Sequence, residues 1–146
     1  MDNRPKVWVR MIREVSTFVK SAIITGHALV GWLYCAALIG IGRQFMSLQA
    51  TLVLHAIGAP LGFALVSFLY FKRFAFTSPL RTAFLFLGIV IVMDVFVAAL
   101  LIEKSSAMFG SIVGTWLPFA LIFSATSLTG TLTKSNASQS LPSKTN

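Results

Sequence analysis

Long apolar stretches separated by short charged connections make up most of this sequence. Four windows contain at most one charged residue each: residues 21–42, 44–71, 82–102 and 105–133. An α-helix rises about 1.5 Å per residue, so about 20 apolar residues cross the roughly 30 Å hydrocarbon core of a bilayer. Lipid offers the backbone no hydrogen-bond partner, and the windows lack the alternation typical of strands. Each window is therefore predicted to form a transmembrane helix.

The predicted fold is an all-α membrane protein, an up-down bundle of four transmembrane helices forming one domain over residues 21–131. The predicted spans cover about 21–42, 47–71, 80–102 and 106–131. A serine can cap the third span at Ser78, and another can cap the fourth at 105–106.

The segments on either side of this domain differ from it in composition. In residues 1–20, apolar side chains recur at helical spacing opposite charged ones, which predicts a basic amphipathic helix on the cytoplasmic face of the membrane. A plain cytoplasmic extension of the first span explains the same pattern equally well. Residues 132–146 are rich in Ser, Thr, Asn and Lys and are predicted to form a disordered cytoplasmic tail.

The overall composition agrees with a membrane protein. Hydrophobic residues make up 56% of the 146 residues and charged residues only 11%. A soluble domain has about 25% charged residues. This composition excludes a soluble enzyme and a disordered chain.

The distribution of positive charge predicts the topology. Ten of the twelve Lys and Arg residues lie in the N-terminal segment, in the 72–81 connection and in the tail, whereas Arg43 and Lys104 lie in the other two connections. The positive-inside rule then places both termini in the cytoplasm, for a multi-pass protein of the cytoplasmic (inner) membrane of a prokaryote-like cell. The net charge of +8 is not arranged as a basic stripe interleaved with aromatic residues, so nucleic-acid binding is not expected.

Two segments resemble each other. Gly58–Leu65 and Gly114–Leu121 agree at five of eight positions. A duplication would make the protein two pseudo-repeated helical hairpins related by an axis along the membrane normal. Chance similarity between apolar segments is the alternative.

Asp94 is the single acidic residue inside a span. A carboxyl group at this depth is costly in lipid and is a functional-site hypothesis by default. His55, on the second span, lies within about 3 Å of the same depth when both are counted from the window centres. The pair is a candidate proton or cation relay. The alternative is that Asp94 only bonds a neighbouring helix and His55 is a satisfied core histidine.

Small residues and prolines mark two of the spans. Gly58 and Gly62 form one GxxxG pattern, and Gly110 and Gly114 form another, which favours close helix packing. Pro60 and Pro118 each remove a backbone donor and predict kinks beside these patterns. A helix packing role is the commoner outcome for such residues, and the opening of a cavity is the alternative.

Other chemistry finds little support. No nucleophile–base–acid set, phosphate loop or metal cluster is present, so no catalytic residue is assigned and an enzyme is not expected. A haem held by His27 and His55 would need ligands about 12 Å apart in depth, so no cofactor is predicted. The single cysteine, Cys35, cannot form an intrachain disulfide. Trp32 and Trp116 fall inside spans, as bundle-filling side chains or cavity walls.

These patterns lead to two functional hypotheses. The first is a small proton- or cation-linked permeation or transport protein that acts as a homo-oligomer in the bilayer. The second is a non-catalytic accessory or assembly subunit of a larger membrane complex. A haem or quinone electron carrier is a weaker third.

Overall fold

The computed structural model describes the backbone of residues 6–102 and 107–139 and the side chains of 16–100 and 109–136. This part of the chain is helical almost throughout and contains no strand. Within these residues, four helices are long and apolar enough to cross a membrane: Ser16–Phe45, Leu48–Arg73, Pro79–Leu100 and Ile112–Asn136. The predicted all-α fold with four candidate membrane spans is confirmed.

Four α-helices and three shorter helical segments form the part of the chain that the structure describes. The α-helices are α1 (Lys6–Phe45), α2 (Leu48–Arg73), α3 (Pro79–Met93) and α4 (Leu117–Gln139). Three segments between α3 and α4 are wound differently: a π-helix (Asp94–Ile102) that continues α3, a 3₁₀ turn (Ala107–Gly110) and a π-helical turn (Ile112–Trp116) that leads into α4.

Serine caps begin three of these elements. Ser47, Ser78 and Ser111 each accept a hydrogen bond from the backbone N–H three residues further on, at 3.3, 3.4 and 2.9 Å. Pro79 follows Ser78 at the first turn of α3, where its missing N–H is no loss. The predicted cap at 105–106 lies outside the described residues, and the cap that the structure shows before the fourth span is Ser111.

The contacts of two glycines show that α1 and α2 are antiparallel and lie close together. A Cβ atom added to Gly42 would lie 2.8 Å from Thr51, and one added to Gly58 would lie 2.6 Å from Leu38. Going from Leu38 to Gly42 along α1, the partner on α2 changes from Gly58 back to Thr51, so the two helices run in opposite directions. Because a side chain at either glycine would collide with the neighbouring helix, these positions set how closely the helices approach.

The helices surround a common centre in the order α1, α2, α4, α3. Helix α2 packs against α1 and α4, and α3 packs against α4 and α1. Phe84 of α3 meets Phe123 of α4 with ring centroids 4.9 Å apart. Successive helices run in opposite directions, which leaves α1 parallel to α3 and α2 parallel to α4.

Three aromatic rings fill the middle of the bundle. Phe63, Tyr70 and Phe86 are fully buried, with ring centroids of Phe63 and Phe86 6.3 Å apart and those of Tyr70 and Phe86 5.8 Å apart. They join α2 to α3 across the centre. A Cβ atom on Gly31 would lie 2.6 Å from Phe63, so the absence of a side chain on α1 makes room for this ring.

Positively charged side chains gather at one end of the bundle, here called the basic end. Lys20 lies 5.8 Å from the centre of the Phe76 ring, and Lys134 donates a 3.0 Å hydrogen bond to the carbonyl oxygen of Thr77. The connection between α2 and α3 therefore receives cations from both α1 and α4. The basic end comprises Lys20, Lys72, Arg73, Arg81 and Lys134. Arg43 lies at the opposite end, in the last turn of α1.

Both flanking segments are helical where the structure describes them. Helix α1 is continuous from Lys6 to Phe45, so its N-terminal part extends the first span; the side chains of residues 1–15 lie outside the described residues. Helix α4 continues to Gln139, so residues 132–139 are helical where a disordered tail was predicted. Lys134 anchors this last part to the neighbouring connection, and the Thr133 hydroxyl donates to the carbonyl oxygen of Thr129 at 2.7 Å.

Candidate functional site: an acid-lined cavity within the bundle

Asp94 sits where the third span changes its winding. Helix α3 ends at Met93, and the π-helix begins at Asp94. The wider π-helical turn is uncommon in proteins and is found frequently at functional sites. The Asp94 carboxylate accepts a 2.7 Å hydrogen bond from the indole N–H of Trp32 on α1. The acid therefore faces the bundle and not the lipid.

A cavity of about 180 Å³ lies beside this hydrogen bond. It brings Asp94 and His55 together with residues of all four spans. Its polar or ionisable lining residues are Trp32, Cys35, Arg43, His55 and Asp94. Its remaining walls are apolar: Ala36, Ile39, Gly40, Val90, Ala98, Gly114, Pro118, Phe119 and Ile122.

His55 lines the same cavity. It is only 7% exposed, and its Nδ1 atom has no hydrogen-bond partner among the described residues. The pairing of α1 with α2 places His55 level with residue 40, eight residues beyond Trp32. This separation is about 12 Å along the helix axis.

This separation refers to the Trp32 backbone and not to Asp94. Gly31 and Phe86 both contact the Phe63 ring, which places Phe86, eight residues before Asp94, near the level of Trp32. The similar depth of His55 and Asp94 therefore stays a prediction. Asp94 and His55 share one cavity, but no hydrogen bond joins them within the described part of the chain. Any relay between them needs a third group, such as water or a bound molecule.

The cavity lining includes residues from the bundle centre and from the Arg43 end. Val90 and Ile122 border the cavity and belong to the same buried cluster as Phe63 and Phe86. Arg43, in the last turn of α1, also borders it. Packed aromatic rings therefore lie between the cavity and the basic end of the bundle.

The predicted packing residues of the second span contact α1. Gly58 lies against Leu38, and Gly62 lies against the Tyr34 ring so closely that a Cβ atom would collide with it. Pro60 lies between them inside α2, which continues through it to Arg73.

The corresponding residues of the fourth span occupy different surroundings. Gly114 lines the cavity, and a Cβ atom there would lie 3.3 Å from Leu52. Gly110 is exposed and has nothing within 4 Å of an added Cβ atom. Pro118 also lines the cavity; it is the second residue of α4, directly after the π-helical turn. Its missing N–H falls inside the helical run that begins at Ile112, where the π-helical turn passes into α4.

His27 lies far from the cavity. Its Nδ1 atom is 2.8 Å from the carbonyl oxygen of Ile23, and its ring packs edge-on against Tyr70 and Phe74 at 5.6 Å from each. Tyr70 is fifteen residues from His55 along α2. That spacing is about 22 Å, so the two histidines cannot ligate one iron.

Trp32, Cys35 and Arg43 are site residues that sequence reasoning did not assign. The sequence did offer one indication for Trp32: an indole N–H deep in a span needs an acceptor, and Asp94 is the one charged acceptor at that depth. Trp116 is 55% exposed and donates instead to the carbonyl oxygen of Phe109 at 2.9 Å.

Comparison with known protein families, curated proteins and solved structures finds no match to this chain.

Proposed function

We propose that this protein is a small proton- or cation-linked permeation or transport protein. The observation that carries the proposal is the location of Asp94: a carboxylate inside a span, bordering a cavity of about 180 Å³ and held by one hydrogen bond from Trp32. An acid that faces a cavity can exchange a proton or a cation with it, whereas an acid used only for helix packing needs no space beside it.

The orientation belongs to the same proposal. The basic end carries Lys20, Lys72, Arg73, Arg81 and Lys134, and Arg43 lies at the other end. The positive-inside rule favours the basic end, and with it both termini, in the cytoplasm of a cell whose inner membrane holds the protein. The Arg43 side of the cavity then faces the outside.

The aromatic rings between the cavity and the basic end limit the paths through the bundle. Phe63, Tyr70 and Phe86 leave no continuous path along the axis of the single bundle. Passage to the basic end would require these rings to move, or a path between protomers. This supports a homo-oligomer as the working unit, since four helices enclose little space.

A flux assay in liposomes tests this function. Wild-type protein should move protons or monovalent cations down an imposed gradient, and Asp94→Asn should reduce the flux strongly. Asparagine keeps an oxygen that can accept from Trp32, so the variant changes the charge while retaining the hydrogen bond. Equal flux in the two proteins would overturn the proposal, provided that both melt at similar temperatures.

A second function has one observation in its favour. The hydrogen bond from Trp32 to Asp94 joins α1 to α3, as a purely structural acid would. In that case the protein would be an accessory or assembly subunit of a larger membrane complex, and the GxxxG face of Gly58 and Gly62 would be part of its packing. Stoichiometric co-purification with a membrane partner, together with unchanged flux in Asp94→Asn, would favour this function.

The proposed duplication stays a prediction. The two similar segments, Gly58–Leu65 and Gly114–Leu121, fall on the neighbouring parallel helices α2 and α4 and the turn before α4. Such an arrangement is compatible with two hairpins of common origin standing side by side.

A further inference from the structure

We propose that the cavity binds a small lipophilic amine in its protonated form, with the ammonium group on the Asp94 carboxylate. This inference rests on the proposed function and names the class of cation that the site takes. Four features of the cavity support it: the chemistry of its walls, the number of its charged groups, its hydrogen-bonding atoms and its size.

The walls favour an organic body over a hydrated ion. Most lining residues are apolar, and those around Asp94 include Val90, Ala98 and Ile122. Apolar walls gain free energy by covering apolar ligand surface, at about 25 cal/mol per Å² removed from water. A bare inorganic cation gains nothing from them.

The polar groups are too few to replace the hydration shell of a metal ion. Calcium takes about six to eight oxygen ligands, and magnesium keeps near-octahedral geometry. Within the described residues, Asp94 supplies the one carboxylate that borders the cavity, and no group of three His, Cys, Asp or Glu side chains could hold a metal. Arg43 also borders the cavity, in the last turn of α1. The single carboxylate beside apolar walls suits a monovalent cation with its own apolar surface, whose ammonium group lies at Asp94 and not beside Arg43.

The hydrogen-bonding atoms select for N–H donors. Trp32 occupies Asp94 Oδ1, and the carboxylate can accept further hydrogen bonds. An ammonium group carries only donors, so it complements a carboxylate without leaving a buried acceptor of its own unpaired. His55 has an unpartnered Nδ1 atom and is 7% exposed. The cavity wall at His55 therefore offers a further position for a polar group or a water.

The size sets the scale of the ligand. The cavity holds about 180 Å³. An engineered apolar cavity of about 150 Å³ is large enough to bind benzene. A single ring or a short branched chain with one amino group therefore fits, and a two-ring compound does not.

Equilibrium dialysis of the purified full-length protein in detergent, against radiolabelled benzylamine, tests the inference, with empty micelles as background. We expect saturable binding to the wild type and at least about tenfold weaker binding to Asp94→Asn, because a charge-assisted hydrogen bond is lost. Benzyl alcohol, which has the same ring without the charge, should not compete. Benzyltrimethylammonium, which has the charge without N–H groups, should compete at least about tenfold more weakly than benzylamine.

A second variant guards against a folding defect at Asp94. Ala98→Leu fills part of the cavity from the π-helix and leaves Trp32 and Asp94 in place. It should abolish benzylamine binding while Asp94→Glu, which keeps the charge, retains it in part. Competition by benzyl alcohol equal to that by benzylamine, or undiminished binding in both Asp94→Asn and Ala98→Leu, would overturn the inference.

The two proposals can fail separately. Benzylamine binding that depends on Asp94, without any proton or cation flux, would support the ligand class and overturn transport. Flux that depends on Asp94, without benzylamine binding, would support transport and overturn the ligand class.

Discussion

The indole N–H of Trp32 and the Oδ1 atom of Asp94 are 2.7 Å apart, although 62 positions separate the two residues in the chain. This hydrogen bond connects α1 to the point where α3 becomes a π-helix, beside the cavity. It fixes the position of the acid while the other carboxylate oxygen stays available. A fixed but incompletely satisfied acid is what a binding site requires and what a simple helix contact does not.

Trp32→Phe should destabilise the bundle modestly. The variant removes the donor and keeps an aromatic ring, so we expect a loss of about 0.5–2 kcal/mol in the free energy of unfolding. Unfolding in detergent, followed by circular dichroism, measures this. Trp116→Phe is the matched control, since its indole bond to Phe109 lies on an exposed surface and should contribute less. An equal loss in both variants would show that the bond to Asp94 has no special role in stability.

Gly31→Ala should destabilise the bundle because its new methyl group has no room. It would lie 2.6 Å from the ring of Phe63, which is itself fully buried against Phe86. Overpacking of this kind costs about 1–3 kcal/mol. Gly26→Ala on the same helix has nothing within 4 Å of the new atom and should be neutral, or stabilising by up to about 1 kcal/mol through helix propensity. Thermal melting measures the stability of the two variants side by side. A melting temperature of Gly31→Ala equal to or above that of Gly26→Ala would contradict the overpacking at Phe63.

The four spans could be predicted from the sequence because charge and hydrophobicity alone determine which segments cross lipid. The ends were less certain, since helix α4 extends to Gln139 through local hydroxyl and lysine contacts that a compositional argument does not weigh. The general position of Asp94 inside a span was also accessible, because one acid in an apolar window is conspicuous.

The details of the site could not be predicted in the same way. A change from α- to π-helical winding at Asp94 alters which side chains face inward, and hydropathy carries no information about winding. The height of His55 relative to Asp94 depends on how α2 slides along α1, which close contacts such as Gly58 with Leu38 determine. The packing between the cavity and the basic end depends on contacts of Phe63 and Tyr70 of α2 with Phe86 of α3, which hydropathy does not predict.

Lys134→Met should loosen the end of α4. The Lys134 ammonium donates a 3.0 Å hydrogen bond to the carbonyl oxygen of Thr77 and lies 5.6 Å from the centre of the Phe71 ring. Losing these contacts should cost about 1 kcal/mol locally, which is about a fivefold increase in the opening of amides 132–139. Hydrogen exchange read by mass spectrometry reports this opening. Arg73→Met removes one positive charge from the same basic end and serves as the control; equal exchange in the two variants would contradict the anchoring role.

Cysteine labelling in intact cells should reveal the orientation of the bundle. In a Cys35→Ala background, Gln44→Cys marks the Arg43 end and Arg73→Cys marks the basic end; both native side chains are exposed. The positive-inside rule predicts that a membrane-impermeant maleimide added outside labels Gln44→Cys and leaves Arg73→Cys unlabelled until the cells are opened. The reverse pattern would invert the proposed topology.

Cys35 itself should report access to the cavity, since it is the single cysteine of the chain, is 7% exposed and lines the cavity wall. We expect a small, impermeant methanethiosulfonate reagent to reach it from the Arg43 end, because the Phe63 and Phe86 rings pack between the cavity and the basic end. Labelling from outside should therefore be slower than at an exposed cysteine and faster than labelling from inside.

A variant that narrows the cavity distinguishes access to Cys35 through the cavity from access by transient opening of the whole bundle. Ala98→Leu should slow the labelling of Cys35 several-fold because Ala98 borders the cavity, whereas Ala120→Leu adds the same side chain at an exposed position on α4 and should leave the rate unchanged. The variants can be labelled together in one sample, and mass spectrometry then measures the relative rates at which their Cys35 thiols react. If both variants label at the wild-type rate, the reagent reaches the thiol by another path, and the cavity does not open at the Arg43 end.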